Sequence, residues 1–296
     1  MTVATAKKEL ERVIDNLAAR HSRWEVFTDF VAMGALAASN SVDQYHFQSR
    51  EGEYMQIIGK YSKDEQAIFP QMFAHLVEAL ESSIQDGGFE DILGGVFHDL
   101  ELHNKYKGQF FSPMSLCNMM GEISIGDTWQ ETIVKRGYIS ISEPACGAGA
   151  MILGAANAYK SKGLDWSTQM FVSAVDVDIK CVQMAYLQLS LYGIPAVVVH
   201  GNTLTTEAWS YWYTPVYMLD QWFWREPGGI TTQKRPDIEA FRQASMPAYR
   251  AIVAIRDLLD DAPADKPYKP IKAEKAKNCD ESRVYQADNK GQLLLF

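Results

Sequence analysis

The strongest constraint on the fold is a change of period near residue 137. GYISISEPACG reads as a strand running into a tight turn, and AGAMILGAANAYKSKG as a helix closed by Gly163. QMFVSAVDVD is a second strand, IKCVQMAYLQLSLYG a second helix ending at Gly193, and PAVVVHGNTL a third strand. Strand, helix, strand, helix and strand with short connections require parallel pairing and right-handed crossovers. The fold class is therefore α/β, with three layers around this segment.

Residues 5 to about 105 read as helical instead. AKKELERVIDNLAAR, RWEVFTDFVAMGALAASNSVD, DEQAIFPQMFAHLVEALESSI and GFEDILGGVFHDLEL all place apolar residues at helical spacing. Asp64 marks one helix start, and Gly87–Gly88 breaks the chain before the next helix. Trp24, Phe27, Phe30, Tyr54, Phe69 and Phe73 read as core. His98 and His103 are five residues apart, which does not put two ligands on one helix face, so no metal is expected. The organisation is an all-helical domain over 1–105, an α/β domain over 106–261 and a polar tail over 262–296 whose composition predicts disorder.

Composition narrows the partners. The net charge is −9; residues 262–296 hold seven Lys/Arg against five Asp/Glu, or +2, so residues 1–261 carry −11. Such a chain does not coat nucleic acid by bulk electrostatics, and contact with DNA needs a local patch or a partner. No stretch approaches the roughly 20 apolar residues of a membrane span, and the start turns charged at once, without a signal-peptide core. Four separated cysteines, with no CxxC pair, fit a reducing cytoplasm.

The chemistry centres on Glu143-Pro144-Ala145-Cys146-Gly147-Ala148-Gly149 at the first strand's end. Two glycines let backbone approach a ligand and present free N–H groups at a helix start. This segment resembles the D/E-P-A-C-G-S/A-G motif of adenine-specific DNA methyltransferases, the branch that includes modification subunits of type I restriction systems. Three more segments agree in order and spacing. Gly108-Gln109-Phe110-Phe111-Ser112-Pro113 resembles the GQFFTP element that closes over the cofactor, Asp176 matches the acidic residue at the second strand's tip, and Gly201-Asn202-Thr203-Leu204 resembles G-D-x-L. The resemblance covers roughly residues 10–225. It implies a Rossmann-like core that binds S-adenosylmethionine and methylates the exocyclic amine of adenine in DNA. Glu143 would pair with the methionine amine, with Pro144, Ala145, Gly147 and Gly149 shaping the loop. Asp176 would take the ribose hydroxyls, with Asp178 as the fallback, and Asn202 would accept from the adenine amine. Phe110 and Pro113 would cover the cofactor.

The resemblance stops at the catalytic loop. The family prepares its poor nucleophile with N/D/S-P-P-Y/F after the fourth strand, about twenty residues beyond the third-strand motif. This chain offers Trp212-Tyr213-Thr214-Pro215, where Tyr213 can stack, Thr214 can accept a hydrogen bond and Pro215 stands alone. The family's sheet usually has seven strands and only three are legible here, so a reduced sheet is expected. There is no room for a large target-recognition domain; specificity comes from the helical half, from a separate specificity subunit, or is absent. Gln292-Leu293-Leu294-Leu295-Phe296 resembles the QLxLF peptide that docks bacterial proteins on the sliding clamp, implying anchors at Gln292, Leu293, Leu295 and Phe296. Two functions stay open: an adenine methyltransferase, and a catalytically silent adaptor that associates with DNA or the clamp.

Overall fold

The computed structural model describes residues 2–100, 112–220 and 222. Phe110, the polar tail and the terminal QLLLF lie outside the described residues. Met1–Trp222 form one compact unit.

The first hundred residues form the helices α1 (Val3–Leu17), α2 (Arg23–Asn40), α3 (Phe47–Ile58), α4 (Lys63–Gln66), α5 (Phe69–Gln85) and α6 (Ile92–Asp99). Side-chain caps set the starts of α1, α2, α4 and α6. Thr2, Ser22 and Asp91 each accept from a backbone N–H of the first turn. Ser62, not Asp64, opens α4, through a reciprocal capping box with Glu65. Two helices that the hydropathy pattern did not reveal follow, α7 (Met114–Ile125) and α8 (Trp129–Arg136). Then come β1 (Ile139–Glu143), α9 (Ala150–Ser161), α10 (Trp166–Gln169), β2 (Met170–Asp176), α11 (Ile179–Leu191), β3 (Ala196–Asn202), β4 (Glu207–Tyr213) and α12 (Pro215–Leu219).

The sheet has the order β1-β2-β3-β4. The first three strands are parallel, as their connections require. The fourth is new: WSYWY does not alternate cleanly, yet it pairs antiparallel to β3 through a hairpin, with a bulge opposite His200/Gly201. Two right-handed crossovers in the same direction put α9 and α11 on one face of the sheet, where Met170, Val172, Ala174, Ala196 and Val198 are buried. The opposite face carries Phe171, stacked on Trp222 and tilted against Tyr217 of α12. Three full layers are therefore not seen among the described residues, because the second face is covered only in part, by this short helix and its aromatic neighbours.

The helices of the first hundred residues do not form a separate core. A single cluster of buried apolar residues runs from Ala6 and Leu10 through Phe27 and Leu36 to Leu187, Val198 and Trp212. Phe27, Phe30 and Phe69 are core as expected, whereas Trp24 is exposed at the start of α2, with the Lys180 ammonium 5.2 Å from its ring centroid.

Candidate cofactor site

The site forms at the carboxyl ends of the parallel strands, where the loops after β1, β2 and β3 meet. The turn after Glu143 is held by Cys146 N–H donating to Val175 O at 2.9 Å and Gly149 N–H to Cys146 O at 2.8 Å. Gly147 (φ 53°) and Gly149 (φ 101°) adopt left-handed backbone that a side chain resists, which explains both glycines.

Asp176 is the centre of this assembly. One carboxylate oxygen accepts from Gly147 N–H and the other from Asp178 N–H, both at 2.9 Å. The carboxylate therefore latches the glycine turn to the tip of β2. Each oxygen retains a second lone pair for a ligand hydroxyl. Glu143 accepts from Ala145 N–H at 3.2 Å and is half-buried. Burial raises its carboxyl above the ordinary carboxylate range; the Ala145 N–H pulls it back and the Asp176 charge pushes it further up. Thr203 donates its hydroxyl to Pro144 O at 2.6 Å, tying the third loop to the first. That tie could not be foreseen, because its acceptor is a main-chain carbonyl that any residue supplies. Val177, 62% exposed, is a further unforeseen feature, an apolar side chain at the β2 tip between two aspartates.

Asn202 lies at the end of β3 beside these loops, but its amide oxygen accepts from Leu204 N–H at 3.0 Å and Thr205 N–H at 3.4 Å. It shapes the β3–β4 turn instead of pointing an acceptor at a ligand. Pro113 caps α7, its carbonyl accepting from Leu116 and Cys117. Burial pushes the Cys117 thiol, one turn on, above its ordinary value, and the charges of Asp91 and Glu143 act in the same direction.

The expected catalytic residues Tyr213, Thr214 and Pro215 lie at the other end of the sheet. Because β4 is antiparallel, its end returns to the start of β3, about 20 Å from Asn202 at a strand rise of ~3.3 Å per residue. Thr214 is fully buried there: its hydroxyl accepts from Ala196 N–H and donates to Ile194 O, both at 2.9 Å. Tyr213 stacks between Tyr211 and Tyr217, and Pro215 opens α12. These residues pack the far end of the sheet and do not meet Glu143 or Asp176.

The loops 143–149, 176–178 and 201–205 contain Glu143, Asp176 and Asp178 and no Lys or Arg. Such a donor set repels a phosphate and suits a ligand with positive charge and hydroxyl groups. Among the described residues no group of His, Cys, Asp and Glu is arranged to hold a metal ion, and no helix is long and apolar enough to cross a membrane. No curated protein matches the chain. Residues 89–221 match the model of the N-6 DNA methylase family, a span that begins before α6 and takes in all four strands and the three loops. This segment of the chain is similar to the N-6 DNA methylase family, whose model it matches.

Proposed function

We propose that the protein is an S-adenosylmethionine-dependent DNA methyltransferase that modifies the exocyclic amine of adenine. The observation that carries this reading is the Asp176 latch beside Glu143, in loops without a single basic residue. S-adenosylmethionine is cationic at its amine and sulfonium and presents two ribose hydroxyls, which fits these carboxylates. When bound, it supplies an electrophilic methyl group. Glu143 pairs with the amine, relieving the repulsion between its carboxylate and Asp176. The spare lone pairs of Asp176 take the ribose hydroxyls, and Gly147 and Gly149 let the main chain approach without Cβ atoms. Val177 offers an apolar contact at the nucleoside end. Phe110 and Pro113 are the proposed cover, and Pro144 and Ala145 keep the turn narrow. Asn202 positions the adjoining hairpin.

Tyr213, Thr214 and Pro215 have no part in preparing the adenine amine in this proposal. DNA is the substrate, and sequence recognition falls to a separate specificity subunit in the cytoplasm. The QLLLF terminus provides the proposed clamp anchor through Gln292, Leu293, Leu295 and Phe296. Deleting these residues is expected to abolish co-purification with the clamp; unchanged co-purification removes that partner.

The test of activity uses tritiated methyl-S-adenosylmethionine and unmethylated genomic DNA. Label in N6-methyladenine that falls at least tenfold in Glu143→Gln supports the proposal. Full cofactor binding with no label in any base overturns the methyltransferase reading.

A further inference from the structure

α7 faces two ways. Cys117, Gly121 and Ile125 are buried toward α9, while Leu116 (44% exposed), Met119 (53%), Met120 (37%) and Ile123 (65%) point outward. Their spacing of i, i+3, i+4 and i+7 makes one continuous stripe, the pattern of a helix presented to another helix. The four side chains expose roughly 400 Å² between them, the scale at which an apolar patch marks an interaction site.

We propose that two copies of this chain pair through α7, antiparallel about a two-fold axis. Electrostatics favours an identical partner. With a net charge of −9, two copies repel across most of their surfaces. From Met114 to Ile125 the only charge is Glu122, and it is bound by Lys162 and Ser161 of its own chain. The stripe therefore carries nothing that repels an identical stripe, and nothing that would steer a partner of opposite charge. The stripe is also symmetric. Reversing α7 about the midpoint of Met119 and Met120 exchanges Leu116 with Ile123 and the two methionines with each other, which satisfies the self-complementarity that a two-fold contact demands. Methionine adapts its shape to such a contact at small cost. The area sets the strength: about 800 Å² in total from both copies lies at the weak end of specific association, so the dimer is concentration-dependent.

The test is sedimentation velocity on the full chain from about 1 to about 200 µM, a range spanning the dissociation constants expected of a contact this small. The weight-average coefficient is expected to rise from monomer to dimer. Met119→Glu with Ile123→Glu is expected to stay monomeric throughout, and the milder pair Met119→Gln with Ile123→Gln to shift the midpoint at least tenfold. Met55→Glu, on an exposed apolar residue of α3, is expected to dimerise like the parent. A parent chain that stays monomeric at the highest concentration overturns the proposal, as does a dimer that survives both α7 pairs.

Discussion

Asp176 does two jobs with one side chain, and they can be separated. As a latch it accepts from Gly147 and Asp178 N–H; as a ligand group it uses the remaining lone pairs. Asp176→Asn turns one acceptor into a donor facing an N–H. Calorimetry is expected to show cofactor binding weakened by about 1–3 kcal/mol, the cost of unpaired polar groups. Thermal unfolding of the same variant is expected to show a lower midpoint without cofactor, because the latch is lost as well.

Glu143 makes a pH prediction. Its folded carboxyl is raised by burial. The ionised form is therefore disfavoured in the free protein, and this group's contribution to stability is lost as pH rises through the raised value. A cationic cofactor reverses that preference. Affinity is expected to fall as pH drops through the raised Glu143 value, at a higher pH than for an ordinary carboxylate. Glu143→Gln is expected to flatten the dependence as well as weaken binding; a mutant profile parallel to the parent would separate Glu143 from the cofactor.

At this scale, the sequence announces residues whose type is unusual at their place. Glu143, the two glycines and Asp176 stand at strand ends where the chemistry needs them. Thr203 and the turn-capping role of Asn202 stay hidden, because their partners are main-chain groups that no motif encodes.

Among the described elements, α7 and α9 cross with their main chains close together. A Cβ on Gly121 would press into the Gly154 carbonyl, and one on Gly154 into the Cys117 carbonyl, both main-chain atoms with no room to give. Gly154→Ala is expected to destabilise by about 1–3 kcal/mol in denaturant unfolding and to weaken cofactor binding too, since α9 starts at the glycine turn. The β4 strand supplies the contrasting case. Thr214→Val removes a hydroxyl that bonds Ala196 and Ile194. A loss of about 1–3 kcal/mol in stability is expected, with cofactor affinity unchanged once the protein is folded. A specific loss of affinity or of methyl transfer at full stability would return Thr214 to the site.

The three parallel strands are legible because each ends in a glycine or acidic turn, and the first two are each followed by a helix. β4 was not, because an aromatic edge strand exposes residues on both faces and blurs the period of two. α7 escaped for a related reason: its outward apolar stripe destroys the amphipathic contrast that reveals a helix.

At the scale of the molecule, the helices of the first hundred residues and the sheet are fastened by one buried cation. Arg50 donates to Asp43 at 2.7 Å, to Ser39 and to Tyr211 O at 2.7 Å, and lies 4.3 Å over the ring of Trp212. Burial raises the Asp43 carboxyl, but the His46 hydrogen bond and charge and the Arg50 guanidinium outweigh it and hold it below its ordinary 3.8. A depressed acid stabilises the fold above its unfolded value, and this contribution is lost as pH falls through the lower folded value. Arg50→Met leaves Asp43 buried without its cation and is expected to cost about 3 kcal/mol or more. The sequence reading puts a domain boundary at residue 105 because the run of helical spacing ends there, ahead of the strand–helix alternation that begins near residue 137. Among the described residues both segments share one buried core: a change of period marks a change of element type, whereas a domain boundary needs contacts to end.

The central claim is that the acidic loops hold S-adenosylmethionine. Calorimetric titration of S-adenosylmethionine into the full chain, beside Glu143→Gln at matched pH, tests it most directly. The account predicts one site with a dissociation constant in the micromolar range, about −8 kcal/mol, and a loss of at least tenfold in the variant. No heat of binding to folded parent protein, or equal affinity in the two chains, would contradict it.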